Sequence, residues 1–177
     1  MIAEIEKSAV ARVIFVSSTS VYMDRQEIIT ESNVAALKQS PLVTIEEMFS
    51  NCNTFKTTIL RFGGLVGYSR NPGKFFSNGK IVKNPDSEVN LIHRDDCIGI
   101  ITKIIEDGVW GEVFNCCADT HPTKRAFYTQ AAQASGEKTP NFAGSSEAPS
   151  KIVSNEKVKR VLKYKFVHPD LMKIEFT

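Results

Sequence analysis

The chain has 177 residues, 42% hydrophobic and 24% charged, with a formal net charge of +2. This size suits one domain with its own core, and the slight charge surplus gives no electrostatic case for nucleic acid or an acidic partner. The four cysteines (Cys52, Cys97, Cys116 and Cys117) form no C-x-x-C spacing, which argues against a zinc site and fits reduced, buried thiols in a cytoplasmic protein.

Met1 to Lys7 alternates charge with apolar residues, unlike a signal peptide, and no apolar run approaches the roughly 20 residues that span a membrane. Ile2, Ile5 and Ala9 recur at helical spacing and predict the tail of a helix over 2–9. Val13-Ile14-Phe15-Val16 is an apolar run that predicts a strand over 12–17, covered on both faces as in a parallel sheet. It ends in Ser17, Ser18, Thr19, Ser20 and Tyr22. Small polar residues at the carboxyl end of such a strand sit where open α/β sheets place their ligands. Residues 23–40 are polar and irregular. Thr44 and Glu47 make a capping box for a helix over 44–51, with Ile45, Met48 and Phe49 as its buried face.

Thr57–Phe62 is rich in β-branched and aromatic residues and predicts a second strand, closed by Gly63-Gly64-Leu65-Val66-Gly67. A loop with Pro72 and Gly73 follows, and Phe75 and Phe76 anchor a short turn. A third strand over 88–92 leads through His93-Arg94-Asp95-Asp96 into the most regular helix. Its apolar face is Cys97, Ile98, Ile101, Ile104 and Ile105, and Gly108 stops it. A fourth strand spans 113–117. A helix beginning near Pro122 carries Phe127, Tyr128, Ala131 and Ala132 and ends by Gly136. Residues 137–150 read as a surface loop, a short helix covers 155–162, and Pro169 breaks the tail. Strands alternate with helices, so the class is α/β with mostly parallel strands.

Four segments occur in a meaningful order: Val16-Ser17-Ser18-x-x-Val21-Tyr22, Leu60-Arg61-Phe62-Gly63-Gly64-Leu65-Val66-Gly67, Asn90-Leu91-Ile92-His93-Arg94-Asp95-Asp96, and Gly111-Glu112-Val113-Phe114-Asn115. From about Val10 to about Tyr164 the chain resembles the later two-thirds of an extended or atypical short-chain dehydrogenase/reductase of the NAD-dependent epimerase/dehydratase kind. The resemblance implies an incomplete Rossmann-like parallel sheet with helices, plus a smaller C-terminal substrate-binding part. Residues 1–67 would belong to the dinucleotide-binding domain and 68–177 mostly to the substrate side, with 88–117 returning a strand and helix to the main sheet. It also implies a missing start, since no G-x-x-G-x-x-G follows an N-terminal strand here. The intact parent would use NAD or NADP, with weak or absent binding by this piece alone. The partners implied are a small-molecule substrate and either self-association or pairing with an N-terminal segment.

The resemblance places Ser18 where a hydroxyl contacts the reacting group of the substrate; the bland alternative is a hydroxyl that caps the strand end. Ser17 and the turn Phe62, Gly63, Gly64 and Leu65 fall where the cofactor's nicotinamide end would lie, glycines there allowing close backbone approach. Thr19, Ser20, Tyr22 and His93 fall on the substrate side. The family's Tyr-x-x-x-Lys pair is absent: the residues four positions after Tyr22, Tyr68, Tyr128 and Tyr164 are Gln26, Pro72, Ala132 and His168. Aligning Glu46 with the family's helix glutamate puts Lys38 at the Tyr position and Leu42 at the Lys position. His93 with Asp95 and Asp96 is an H-x-D-D run at a helix start, read as capping rather than metal binding. His121 and His168 read as loop residues, and Lys124-Arg125 and Lys157–Arg160 as helix-face charges.

Overall fold

The computed structural model describes residues 1–25, 27–144 and 150–175. Residues 145–149 of the expected surface loop, and Gln26, lie outside them. The helix α1 (Ile2–Glu6) is shorter than its apolar spacing suggests and buries no residue. The strand β1 (Arg12–Ser18) follows, with a 3-10 turn at Thr19–Val21. Then come β2 (Glu27–Ile29), α2 (Pro41–Ser50), β3 (Lys56–Phe62) and β4 (Gly64–Val66). The second half contributes β5 (Ile81–Val82), β6 (Leu91–His93), α3 (Arg94–Asp107), β7 (Val113–Cys116), α4 (Lys124–Ala134), β8 (Asn141–Phe142), β9 (Lys151–Val153) and α5 (Glu156–Leu162).

The main sheet is parallel and three-stranded, in the order β1-β3-β7. Its register sets Ser17 beside Arg61, Ser18 beside Phe62, and Phe62 beside Cys116. Side chains alternate across a strand, so this register decides what faces what. Leu60 and Phe62 of β3 and Phe114 and Cys116 of β7 pack with Cys97, Ile100 and Ile104 of α3 and with Val158 and Leu162 of α5. Full burial of a side chain such as Leu60 or Phe114 contributes about 1.5–3 kcal/mol. The opposite face meets α2, where Phe15 stacks on Phe49 with ring centroids 4.9 Å apart.

Strand β1 departs from its expected burial on both faces: Val16 is 54% exposed. The reason is position, since β1 is an edge strand of this sheet and among the described residues no strand pairs with its outer side.

Helix α2 begins at Pro41, not Thr44. Ser40 caps it by accepting from the Val43 backbone N–H, and Pro41 suits a first turn that has no use for its missing N–H. The helix therefore turns Val43, Glu46 and Phe49 inward and leaves Ile45 and Met48 exposed. In α3 the buried face is Asp96, Cys97, Ile100 and Ile104, while Ile98 and Ile105 face out. Asp96 turns inward because it accepts the backbone N–H groups of Val167 (2.7 Å) and His168 (3.1 Å) and the Tyr164 hydroxyl. Gly108 closes α3 in the left-handed conformation, as its sequence position predicts.

Two smaller clusters complete the core. Val66, Leu91, Phe127 and Ala131 join β4, β6 and α4 to Leu171. Val21, Tyr22, Ile29 and Val153 join the end of β1 to the parallel pair β2–β9. Among the described residues no helix is long and apolar enough to cross a membrane.

Candidate functional site

The four hydroxyl residues after Val16 part company. Ser17 is buried and donates to Glu46 Oε1 at 2.5 Å. Glu46 receives the Arg61 guanidinium through Nε (3.1 Å) and a second nitrogen (2.5 Å). Arg61 also donates to the Tyr22 hydroxyl at 2.6 Å, which donates in turn to Asn115 Oδ1 at 2.9 Å. Burial raises the Tyr22 phenol above its ordinary value, against the pull of Arg61, so it stays a neutral donor. Tyr22 and Ser17, expected on the substrate and cofactor sides, are both buried in this polar layer, and neither lines the cavity beside Ser18.

Ser18 points the other way. With Thr19, Ser20 and Gly64 it lines a cavity of about 370 Å³ at the carboxyl end of β1, walled also by the 87–91 segment and by Lys124 and Tyr128 of α4. The Ser18 hydroxyl accepts from the Ser20 backbone N–H at 3.1 Å, so it caps the 3-10 turn while lining the cavity. Lys151 closes another wall, its ammonium held by the Tyr22 carbonyl (2.8 Å) and Asp24 (2.7 Å). Asn90 fixes that wall by bonding the backbones of Lys151 and Val153. The two lining carboxylates are each engaged, Asp24 by Lys151 and Glu88 by Ser150, and burial raises the Tyr128 phenol. The lining thus offers hydroxyls, amides and two lysines, which suits holding a hydroxylated or anionic molecule. Among the described residues the lining has no free histidine or carboxylate to move a proton.

The glycine turn has a different reason from the one expected. A Cβ on Gly63 would stand 2.6 Å from the Asn90 carbonyl oxygen, and one on Gly64 2.6 Å from a Leu91 methyl. The glycines let β4 lie against β6, and Gly64 donates its N–H to the Asn90 carbonyl at 2.8 Å. Phe62 is a core residue, and Leu65 is 43% exposed outside the cavity. Leu42 packs as an apolar residue against the third cluster, and Lys38 lines a separate surface depression.

His93 is not a cavity residue. It caps α3 itself, its Nδ1 accepting the Asp95 N–H at 3.2 Å, a role expected of Asp95 or Asp96. His168, from a loop 75 residues later, lies against it with ring centroids 3.8 Å apart and the rings tilted by 44°, and meets Asp95 Oδ2 at 3.0 Å. Tyr68 donates to the other Asp95 oxygen at 2.7 Å. Sequence spacing shows only the H-x-D-D half of this cluster. The cavity residues Asn90, Lys124, Tyr128 and Lys151 were not expected at the site, Asn90 standing in a recognisable segment and Lys124 reading as a helix-face charge, because they come together only through β6, α4 and β9.

No family model matches the chain. Over 177 residues it is 35% identical to Protein YeeZ of Escherichia coli K12, a match covering 96% of the chain and 64% of that protein. The chain therefore spans about two-thirds of the length of this curated relative. A solved structure from Methylobacillus flagellatus, described as an NAD-dependent epimerase/dehydratase, superposes with TM-score 0.76 at 23% identity, covering 96% of this chain and 63% of that one. UDP-glucuronic acid 4-epimerase from Bacillus cereus, in complex with UDP-glucuronic acid and NAD, superposes with TM-score 0.77 at 18% identity, covering 96% and 60%. At these identities the likeness is one of fold.

Proposed function

We propose, from the premise that this chain carries the extended epimerase/dehydratase fold of the short-chain dehydrogenase/reductases, that it forms the substrate side of an NAD(P)-dependent epimerase, dehydratase or reductase. Its substrate is a small polar or nucleotide-linked molecule, held in the cavity beside Ser18. The observation that carries this is the cavity itself: it lies at the carboxyl end of a parallel strand, where open α/β sheets bind ligands, and Ser18 lines it. The polar lining with Lys124 and Lys151 supports an anionic or hydroxylated ligand. In the B. cereus structure the bound ligands are a nucleotide sugar and NAD.

Isothermal titration of the 177-residue chain with UDP and UDP-glucuronic acid tests the substrate side. Saturable binding that weakens in Ser18→Ala and Lys124→Ala supports the reading, and binding indifferent to both overturns it. NADH and NADPH are expected to bind weakly or not at all to this chain, which holds no Gly-rich pyrophosphate loop after an N-terminal strand. Micromolar binding of either would contradict that.

One observation favours a second reading, a dinucleotide-binding or scaffolding protein of the same fold that performs no hydride chemistry. Leu42 packs against an apolar cluster at the position where the resemblance calls for a lysine. A protein of this kind binds nucleotides yet produces no change in NAD(P)H absorbance with any nucleotide sugar.

The outer edge of β1 accepts a further strand, either from a second copy or from a separate N-terminal polypeptide. The exposed Val16 and the unpaired backbone of an edge strand favour such addition. Light scattering showing a clean monomer across the micromolar range would count against self-association.

A further inference from the structure

We propose that His93, Asp95 and His168 form a site for a divalent first-row transition-metal ion. Each offers one donor atom, and these three atoms lie within 4.8 Å of one another. Asp95 Oδ2 is central, 3.3 Å from His93 Nδ1 and 3.0 Å from His168 Nε2. Ligands on a tetrahedral ion with bonds of about 2.1 Å stand about 3.4 Å apart, so both pairs that include Asp95 already lie close to the required spacing. Two imidazoles and one carboxylate suit zinc, cobalt or nickel better than magnesium or calcium, which prefer oxygen throughout.

The surroundings hold these donors in place. The Tyr68 hydroxyl occupies Asp95 Oδ1, which leaves Oδ2 for the ion. Asp96 anchors the loop bearing His168 by accepting the N–H groups of Val167 and His168. Gly67 lies flat against the His93 ring, where a Cβ would come 2.2 Å from Nε2; that nitrogen is covered, so the ion meets Nδ1. Outer partners of this kind fix ligand orientation in metal sites. His93 is buried, but the side chains of Asp95 and His168 are 33% and 27% exposed, which gives an ion a way in and leaves a position for water.

Two features oppose binding. The Nδ1 lone pair now accepts the Asp95 N–H, and an ion must displace that bond. The positive end of α3 and the neighbouring Arg94, which stacks on Tyr68 at 3.7 Å, repel a cation. Asp95 and Asp96, both in the first turn of α3, offset that charge.

The test uses the full chain, stripped with a chelator and titrated with Co²⁺ in visible absorption and with Zn²⁺ and Ni²⁺ in calorimetry. One ion per chain is expected, with cobalt ligand-field bands and no intense sulfur-to-cobalt band. His168→Asn, on a partly exposed loop, should weaken binding at least about tenfold while leaving the circular dichroism unchanged. Asp95→Asn should do the same. No binding of any of the three ions, a sulfur-to-cobalt band marking a cysteine site, or unchanged affinity in His168→Asn would each overturn the proposal.

Discussion

Ser17 and Ser18 are chain neighbours on one strand, and the alternation of β1 sends them into opposite worlds. Ser17 enters a layer beneath the sheet where Glu46, Arg61, Tyr22 and Asn115 bond to one another, all nearly or wholly removed from water. Ser18 enters an open cavity whose polar groups face a space large enough for a ligand. The two regions have similar chemistry and opposite logic. In the first, both charged groups and both hydroxyls have protein partners, while the Asn115 Nδ2 finds none among the described residues, and losing one charged partner strands the other in a low-dielectric setting. In the second, the hydroxyls and amines keep capacity to bond something else. Polar residues at the end of a parallel strand therefore do not all belong to a site; which side of the pleat they occupy decides.

This contrast can be broken most sharply at Arg61. Replacing it with Met leaves Glu46 buried and unpaired, with an expected loss of about 3–5 kcal/mol in urea unfolding. The double variant Arg61→Met with Glu46→Leu should recover most of that loss. A single-variant loss below about 1 kcal/mol would show that the layer is not structural. Tyr22→Phe removes one hydroxyl from the same layer and should cost about 1–3 kcal/mol by the same measurement, with nucleotide-sugar affinity unchanged.

Across the strand the order of effects should invert. Ser18→Ala should change stability by less than about 1 kcal/mol, the scale of a cap on a short turn, yet weaken ligand binding. Lys124→Ala should fall within about 0.5 kcal/mol in stability while weakening an anionic ligand roughly tenfold in calorimetry. The smallest perturbation is chemical labelling. Burial pushes the Cys97 thiol up to about 12 and also holds the Cys116 and Cys117 thiols well above their ordinary value, so iodoacetamide at pH 8 should modify Cys52 alone in the folded chain. Mass spectrometry should then show one adduct before denaturation and four after it. Early labelling of Cys117 would mean that the third core cluster opens readily.

The sequence made the parallel sheet legible because apolar runs and glycine stops are local signals. The strand at 12–18, the strand at 56–62 and the stop at Gly108 were readable for this reason. Helix faces were less so. The apolar spacing of Ile45, Met48, Ile98 and Ile105 suggests a buried side, but Glu46 and Asp96 take the inward positions because Arg61 and the 167–168 backbone need acceptors there. A charge drawn inward by a distant partner leaves no periodic trace. The cavity was half visible: Ser18 and Gly64 stand in recognisable segments, whereas Lys151 arrives through a strand pairing more than 120 residues away. The partnership of His93 with His168 was hidden in the same way.

All five strand pairings among the described residues are parallel, and none is a local hairpin. The consequence concerns time. Glu27 of β2 finds its ladder partner only at Lys151. At a synthesis rate of about 5–20 residues per second, β2 waits roughly 6–25 s for the strand that completes its ladder. Closing loops of this length before they are rewarded also slows refolding from denaturant. During that interval Ile28 of β2 stays open to other chains, so the yield of folded protein should depend on concentration and on chaperones more than the final packing suggests.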